Sequence, residues 1–310
     1  MSFDSLRSVA YFSKTLWLFT LSDHKTFVFP QTLFGLFGAL SGSLLTTSPY
    51  SSPKFLQIIL RTPKVILWTW LNTLVFTLAN QRLPESIMED ILNKPNRPLA
   101  SGRINAVQAR RLLFLSLPIV LGITYFYLGS YEETVILYTL NWMYNDLGGS
   151  DEHFVTRNLI ISIAYTLYGC GALRVAISGH PQDRITISPT GYTWACIIGA
   201  IIFTTMQVQD LKDQEGDRSR SRKTAPLVLG DDYTRWTIAI PVALWSLFCP
   251  YFWRVSFYTS LPLMTLGLVV MVRVVFLKGF AADVQTWRLW AYWLAILYVL
   301  PVVKSLEVRA

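Results

Sequence analysis

The chain has 310 residues, 52% of them hydrophobic and only 15% charged, against about 25% charged in soluble domains. This balance excludes a soluble globular protein and predicts an all-α polytopic membrane protein. The net charge of +8 does not imply a nucleic-acid partner, because basic connections gathered on one membrane face account for it.

Residues 1–25 mix charges with aromatics and lack a small-residue cleavage site, so they read as an amphipathic lead-in with Trp17, Leu18 and Phe19 available to the interface. Apolar runs near the length of about 20 residues that spans a bilayer follow at 26–47, 64–80, 108–128, 132–148, 155–177, 190–209, 234–253, 256–277 and 287–303. They predict nine transmembrane helices around a central pocket, in one domain over 1–310, because no connection is long enough to fold alone.

Pro118, Pro241, Pro250 and Pro262 fall inside runs, which membranes tolerate where neighbours satisfy the freed backbone groups. Pro53, Pro63, Pro98, Pro181 and Pro189 are expected to punctuate connections. Cys170, Cys196 and Cys249 sit in apolar runs and read as small core residues, while His24, His153 and His180 are too scattered for a zinc site. With nine spans, most of the 27 Lys and Arg fall on the side of the N-terminus, which predicts a cytosolic N-terminus. An internal membrane, the endoplasmic reticulum by default, is the expected location.

Two polar stretches interrupt this pattern on that same face. The first, 80–107, opens with NQRLPESIMEDILNKPNRPLASGR from Asn80 to Arg103; the second, 210–233, opens with DLKDQEGDRSRSRK from Asp210 to Lys223. Charges of this density cost at least a few kcal/mol each in the lipid core, so they lie at the surface or line a cavity. Glu85 and Glu89 share a helical face, with Asp90 one position aside; Asp210, Asp213 and Asp217 share another. Acids gathered this way repel one another unless a hard cation neutralises them, and magnesium bridges carboxylates to substrate phosphates. Lys94, Arg97, Lys212 and Lys223 are the candidate phosphate partners.

Such a set suits ionisation of an allylic diphosphate, whose developing charge the metal and cations stabilise. The remaining carbocation needs a dry aromatic chamber. Aromatics make up 14% of the chain, and Trp70, Trp142, Tyr144 and Trp194 are the expected lining residues. A third polar patch, Tyr144, Asn145, Asp146 and then Asp151 to Arg157, falls on the same face and is expected to wall the site.

NKPNRPLASGRI (Asn93 to Ile104) and DLKDQEGDRSRSRKT (Asp210 to Thr224) resemble the two motifs of the UbiA superfamily of intramembrane prenyltransferases. The similarity covers nearly the whole chain and implies nine helices, with the two acidic motifs in cytosolic connections after helices 2 and 6. Asp213 and Asp217 occupy the DxxxD positions of the second motif, with Asp210 upstream and Lys223-Thr224 trailing. In the first motif Asp90 falls at the last acidic position, Ser86 stands where an earlier Asp is usual, and Asn80-Gln81 come two residues early. Its metal ligands are therefore either Glu85 with Glu89 or Glu85 with Asp90.

NQRxPxSIxED together with YNDLGG at 144–149 is similar to the fungal UbiA-type terpene cyclases. This implies Mg2+-dependent ionisation and cyclisation of farnesyl diphosphate, or secondly geranylgeranyl diphosphate, with Asn80, Lys94, Arg97, Arg157, Lys212 and Lys223 on the substrate. Tyr144, Asn145 and Asp146 would act at the cation. An aromatic prenyltransferase, with Asp146 contacting an acceptor, is the alternative. A lipid-phosphate transporter is a third reading, against which stands the lack of internal repetition beyond the two motifs. Beyond substrate and bilayer, no obligate protein partner is evident.

Overall fold

In the computed structural model, residues 3–47, 55–178 and 185–309 are described; Pro53, Pro181 and His180 lie outside them. The described residues form helices α1 Phe3–Thr20, α2 Phe29–Leu40, α3 Phe55–Gln81, α4 Pro84–Asn93, α5 Ala106–Ile123, α6 Tyr131–Asn145 and α7 Gly149–Glu152. These are followed by α8 Phe154–Ile177, α9 Pro189–Thr205, α10 Asp210–Ser219, α11 Ala225–Leu229, α12 Asp231–Trp253, α13 Phe257–Phe276 and α14 Phe280–Arg309. The extended backbone among them amounts to one isolated bridge between Thr46 and Ile187.

Each of the nine apolar runs coincides with one of these helices. Six stretches among the described residues are long and apolar enough to cross a membrane: Ala106–Leu128, Phe154–Ile177, Pro189–Ser219, Asp231–Trp253, Phe257–Phe276 and Phe280–Val308. The other three fall short because α2 and α6 have 12 and 15 residues, and α3 carries Lys64, Asn72, Asn80 and Gln81.

Pro118, Pro241, Pro250 and Pro262 all sit within continuous helices. Pro63, expected in a connection, is also inside a helix, because α3 begins upstream of the apolar run at Phe55. In α1, Trp17 is exposed as an interfacial residue should be, whereas Phe19 is buried against Leu74 and Leu78 of α3. Cys170 and Cys249 are core residues, but Cys196 is exposed, because it falls on the outward face of α9.

Helix α8 is central, packing on α2, α3, α6 and α9. Small residues permit that proximity, as expected for helices in lipid. A Cβ on Gly35 of α2 would come 2.6 Å from the Ala172 backbone of α8, and one on Gly171 would overlap the Trp68 ring of α3. Trp68 is fully buried and its indole donates to Thr134 at 3.3 Å, so it has no room to retreat. Gly171→Ala is therefore expected to destabilise by about 1–3 kcal/mol, read as a lower thermal midpoint in detergent.

A second close approach joins the two polar stretches. A Cβ on Gly216 of α10 would collide with the Asn93 side chain at the end of α4. Glycine at 216 thus lets these two short helices meet.

Candidate functional site

Helices α3, α6 and α8 each run from a polar end into the bundle, and one cavity follows them. On α3 it is lined from Asn80 to Asn72, on α6 from Tyr144 to Leu137, and on α8 from Arg157 to Tyr168. At the polar end stand Glu89, Lys94, Arg97, Asp210, Asp213, Asp217 and Arg222; at the other, Phe27, Tyr138, Tyr165, Tyr168 and Leu137. The cavity therefore joins a charged mouth to a mostly apolar, aromatic chamber.

The mouth is assembled from four segments. Pro84 occupies the first turn of α4, fixing the helix start and carrying Glu89 to the cavity. Glu85 lies on the exposed side of the same helix and does not line the cavity. Asp90 is buried, with its two oxygens receiving Arg97 at 2.8 and 3.0 Å. It positions Arg97 and is kept from the cavity, so of the three acids in this stretch Glu89 alone faces it. Burial pushes the Asp90 carboxyl above its ordinary pKa against the pull of Arg97, and the Arg97 guanidinium together with burial holds the Lys94 ammonium below its own.

From α10 come Asp210, Asp213 and Asp217, aligned as their spacing predicts. Asp210 is 1% exposed and receives Arg157 of α8 at 2.8 Å. Lys212 pairs with Asp213 and lies over the Trp287 ring rather than lining the cavity. Asp217 is 2% exposed; its Oδ1 receives Arg222 at 3.2 Å, while its Oδ2 has no hydrogen-bond partner.

The third segment, residues 220–222, escaped sequence reasoning. Ser221 takes a left-handed φ of 57°, a conformation uncommon for any residue but glycine. The turn directs both flanking arginines inward. Arg220 donates to Ser86 at 2.6 Å, Glu89 at 3.3 Å and Asp151 at 2.9 Å. Arg222 reaches Glu89 at 3.3 Å, Asp217 at 3.2 Å and Asp151 at 3.0 Å. Lys223, expected on the substrate, is exposed, because the same turn carries it outward. The only hint in the sequence was RSRSRK, whose alternation fits no helical face.

Asp151, from α7, is the fourth contributor. Burial alone would raise its pKa, but Arg220 and Arg222 hold the carboxyl below the usual range. It braces both arginines from the far side of the mouth. Its two partly exposed ion pairs are worth at most about 1 kcal/mol each, so Asp151→Ala should raise the substrate KM by up to about thirtyfold with kcat little changed. Steady-state kinetics checks this.

The YND patch divides. Tyr144 lines the cavity, but Asn145 is buried beside it, accepting from Asn80 at 2.9 Å and donating to Asn141. Asp146 pairs with Arg82 and is exposed. Of the other expected aromatics, Trp142 is exposed on the outside of α6, Trp70 donates to Thr20 at 3.1 Å, and Trp194 is packed in the core against Trp253. Trp70 and Trp142 miss the cavity because their helices turn Thr73 and Asn141 towards it instead, and Trp194 misses it because α9 stands outside the lining.

Among the described residues no three His, Cys, Asp or Glu side chains form a ready-made metal cluster. The donor set still fits magnesium. That ion keeps few protein ligands, one or two carboxylates completed by substrate phosphates and water, and the buried, unpartnered Asp217 Oδ2 is an oxygen donor at the cavity wall.

The UbiA prenyltransferase family matches residues 35–296. Somaliensene A/B synthase of Streptomyces somaliensis is 30% identical, over 94% of this chain and 91% of that protein. Fumagillin beta-trans-bergamotene synthase of Aspergillus fumigatus is 31% identical, over 78% of this chain and 76% of its own. The solved structure of a UbiA homolog from Archaeoglobus fulgidus bound to DMAPP and Mg2+ superposes with a TM-score of 0.56 at 14% identity, covering 94% of this chain and 99% of that one.

Proposed function

The chain belongs to the UbiA prenyltransferase family, and from that premise we propose that it is a membrane-bound terpene cyclase. It would ionise a linear isoprenyl diphosphate, farnesyl diphosphate in preference to geranylgeranyl diphosphate, and close the resulting cation into a hydrocarbon. The observation that carries this is the single cavity in which charged residues crowd one end and aromatic side chains the other. The names of two relatives, both synthases, support it.

Glu89, Asp213 and Asp217 would hold magnesium, which when bound supplies positive charge against the departing diphosphate. The Archaeoglobus fulgidus homolog, solved with DMAPP and Mg2+, supports magnesium as the metal. Lys94, Arg97 and Arg222 face the same end of the cavity and would take the phosphate oxygens, while Arg157 holds Asp210 in place. Phe27, Phe76, Tyr138 and Tyr168 line the depth of the cavity, where they would exclude water and present ring faces to the cation. Orientation follows the basic residues: the mouth and the N-terminus lie on the cytosolic side, by default in the endoplasmic reticulum membrane.

The alternative reading, transfer of the isoprenyl chain to an aromatic acceptor, is favoured by the family as a whole but weakened at one point. Asp146, the acceptor contact it would use, is tied to Arg82 outside the cavity. The test is incubation of membranes carrying the protein with farnesyl diphosphate and magnesium, without acceptor. A cyclic hydrocarbon absent from an Asp213→Ala control supports the cyclase. No hydrocarbon from either diphosphate, with product appearing only on addition of a phenolic acceptor, overturns it.

A further inference from the structure

Resting on the cyclase reading, we propose that Asn72 is a specificity-determining residue whose side-chain oxygen stabilises positive charge deep in the cavity and so selects the cation from which product forms.

Asn72 lies in the middle of α3, between the buried Leu71 and Thr73, and is 3% exposed. Its Nδ2 donates to the Trp68 carbonyl at 3.0 Å, which fixes the orientation of the amide. The Oδ1 is buried without a hydrogen-bond partner, and the residue lines the cavity. A buried amide with one half unpaired is destabilising, so an aliphatic residue would serve packing better here.

The asparagines that line the cavity nearer the mouth, Asn80 and Asn141, do not share this property. Asn80 and Asn145 are joined at 2.9 Å, and Asn145 donates to both oxygens of Asn141. Asn72 is eight residues from Asn80, roughly 12 Å further in along the helix. Diphosphate held at the mouth therefore leaves the hydrocarbon tail, and the charge that migrates into it, beside Asn72.

An amide oxygen suits that place. It presents a fixed partial negative charge in a dry site, where such a dipole acts strongly, and it is far less basic than a carboxylate. No bond to Asn72 forms or breaks. When the reaction ends, a C–H bond beside the cationic carbon breaks, its electron pair becomes the new double bond, and the proton leaves with the released diphosphate. Asn72 decides which carbon is cationic at that moment.

The experiment compares the unsubstituted protein with Asn72→Leu, which keeps the branched outline with bulkier methyl groups and removes the dipole, using farnesyl diphosphate and magnesium. Inorganic diphosphate release and the hydrocarbon profile are measured together. Asn72→Leu should release diphosphate at a rate close to the parent's while the ratio of its two main products shifts about tenfold, equivalent to roughly 1.4 kcal/mol on one branch. Unchanged product ratios, with release either unchanged or lowered in proportion, overturn the proposal and leave Asn72 a structural residue. Should Asn72→Leu not fold, Asn72→Ser withdraws the oxygen from the same wall, and unchanged ratios in that variant overturn the proposal equally. If the unsubstituted protein yields no hydrocarbon, the cyclase reading fails and this proposal with it; hydrocarbon from both proteins in identical ratios sinks this proposal alone.

Discussion

Asp217→Asn is expected to lower kcat/KM for diphosphate release by about 10²–10³-fold, the loss typical of removing one preorganised group that stabilises developing charge. The substitution keeps shape and removes charge. Asp217 is buried at the mouth of the cavity, Arg222 occupies one of its oxygens, and the other has no partner. Magnesium together with a non-hydrolysable isoprenyl diphosphate analogue should raise the thermal midpoint of the unsubstituted protein but not of Asp217→Asn, which separates lost metal binding from lost chemistry. Glu85→Gln serves as the contrast: Glu85 is exposed and off the cavity, so neither readout should move. An activity loss with Glu85→Gln comparable to that with Asp217→Asn would overturn this placement of the metal ligands.

Arg157→Met should cost about 3–5 kcal/mol of stability, because it strands a buried carboxylate. Arg157 and Asp210 are both buried, and their contact at 2.8 Å ties α8 to the start of α10. The drop would appear as a lower thermal midpoint. Pairing it with Asp210→Leu removes the stranded charge and should recover most of that stability, as replacement of buried ion pairs by apolar residues often does. Turnover should not recover, since Asp210 also lines the cavity. Recovery of activity in the double variant would show that the pair is scaffolding alone.

Much of the molecule was legible in the chain because lipid imposes a simple rule: backbone polar groups must be satisfied within each segment, so apolar runs become helices. All nine runs coincide with helices, and the two acidic stretches supply Glu89, Asp210, Asp213 and Asp217 to one cavity. Spacing also placed the second set of acids on one face, because α10 is a regular helix over Asp210–Ser219. What failed were residues assigned by sequence neighbourhood. Lys223 follows the motif but is turned outward past Ser221, and Asp146 follows Tyr144 and Asn145 but pairs with Arg82.

The sequence by itself determined the all-helical class, the helix positions and the two charged segments, since these rest on periodicity and hydropathy that each segment carries alone. Tertiary structure decided which face of each helix meets the cavity. That rotation is set by contacts between distant residues, Gly171 against Trp68 and Gly216 against Asn93, and no local pattern encodes them. The same is true of the arginines at 220 and 222, whose partners Glu89 and Asp151 lie about 70 to 130 residues away and are matched only when the bundle closes and burial makes an unpaired charge too costly to leave.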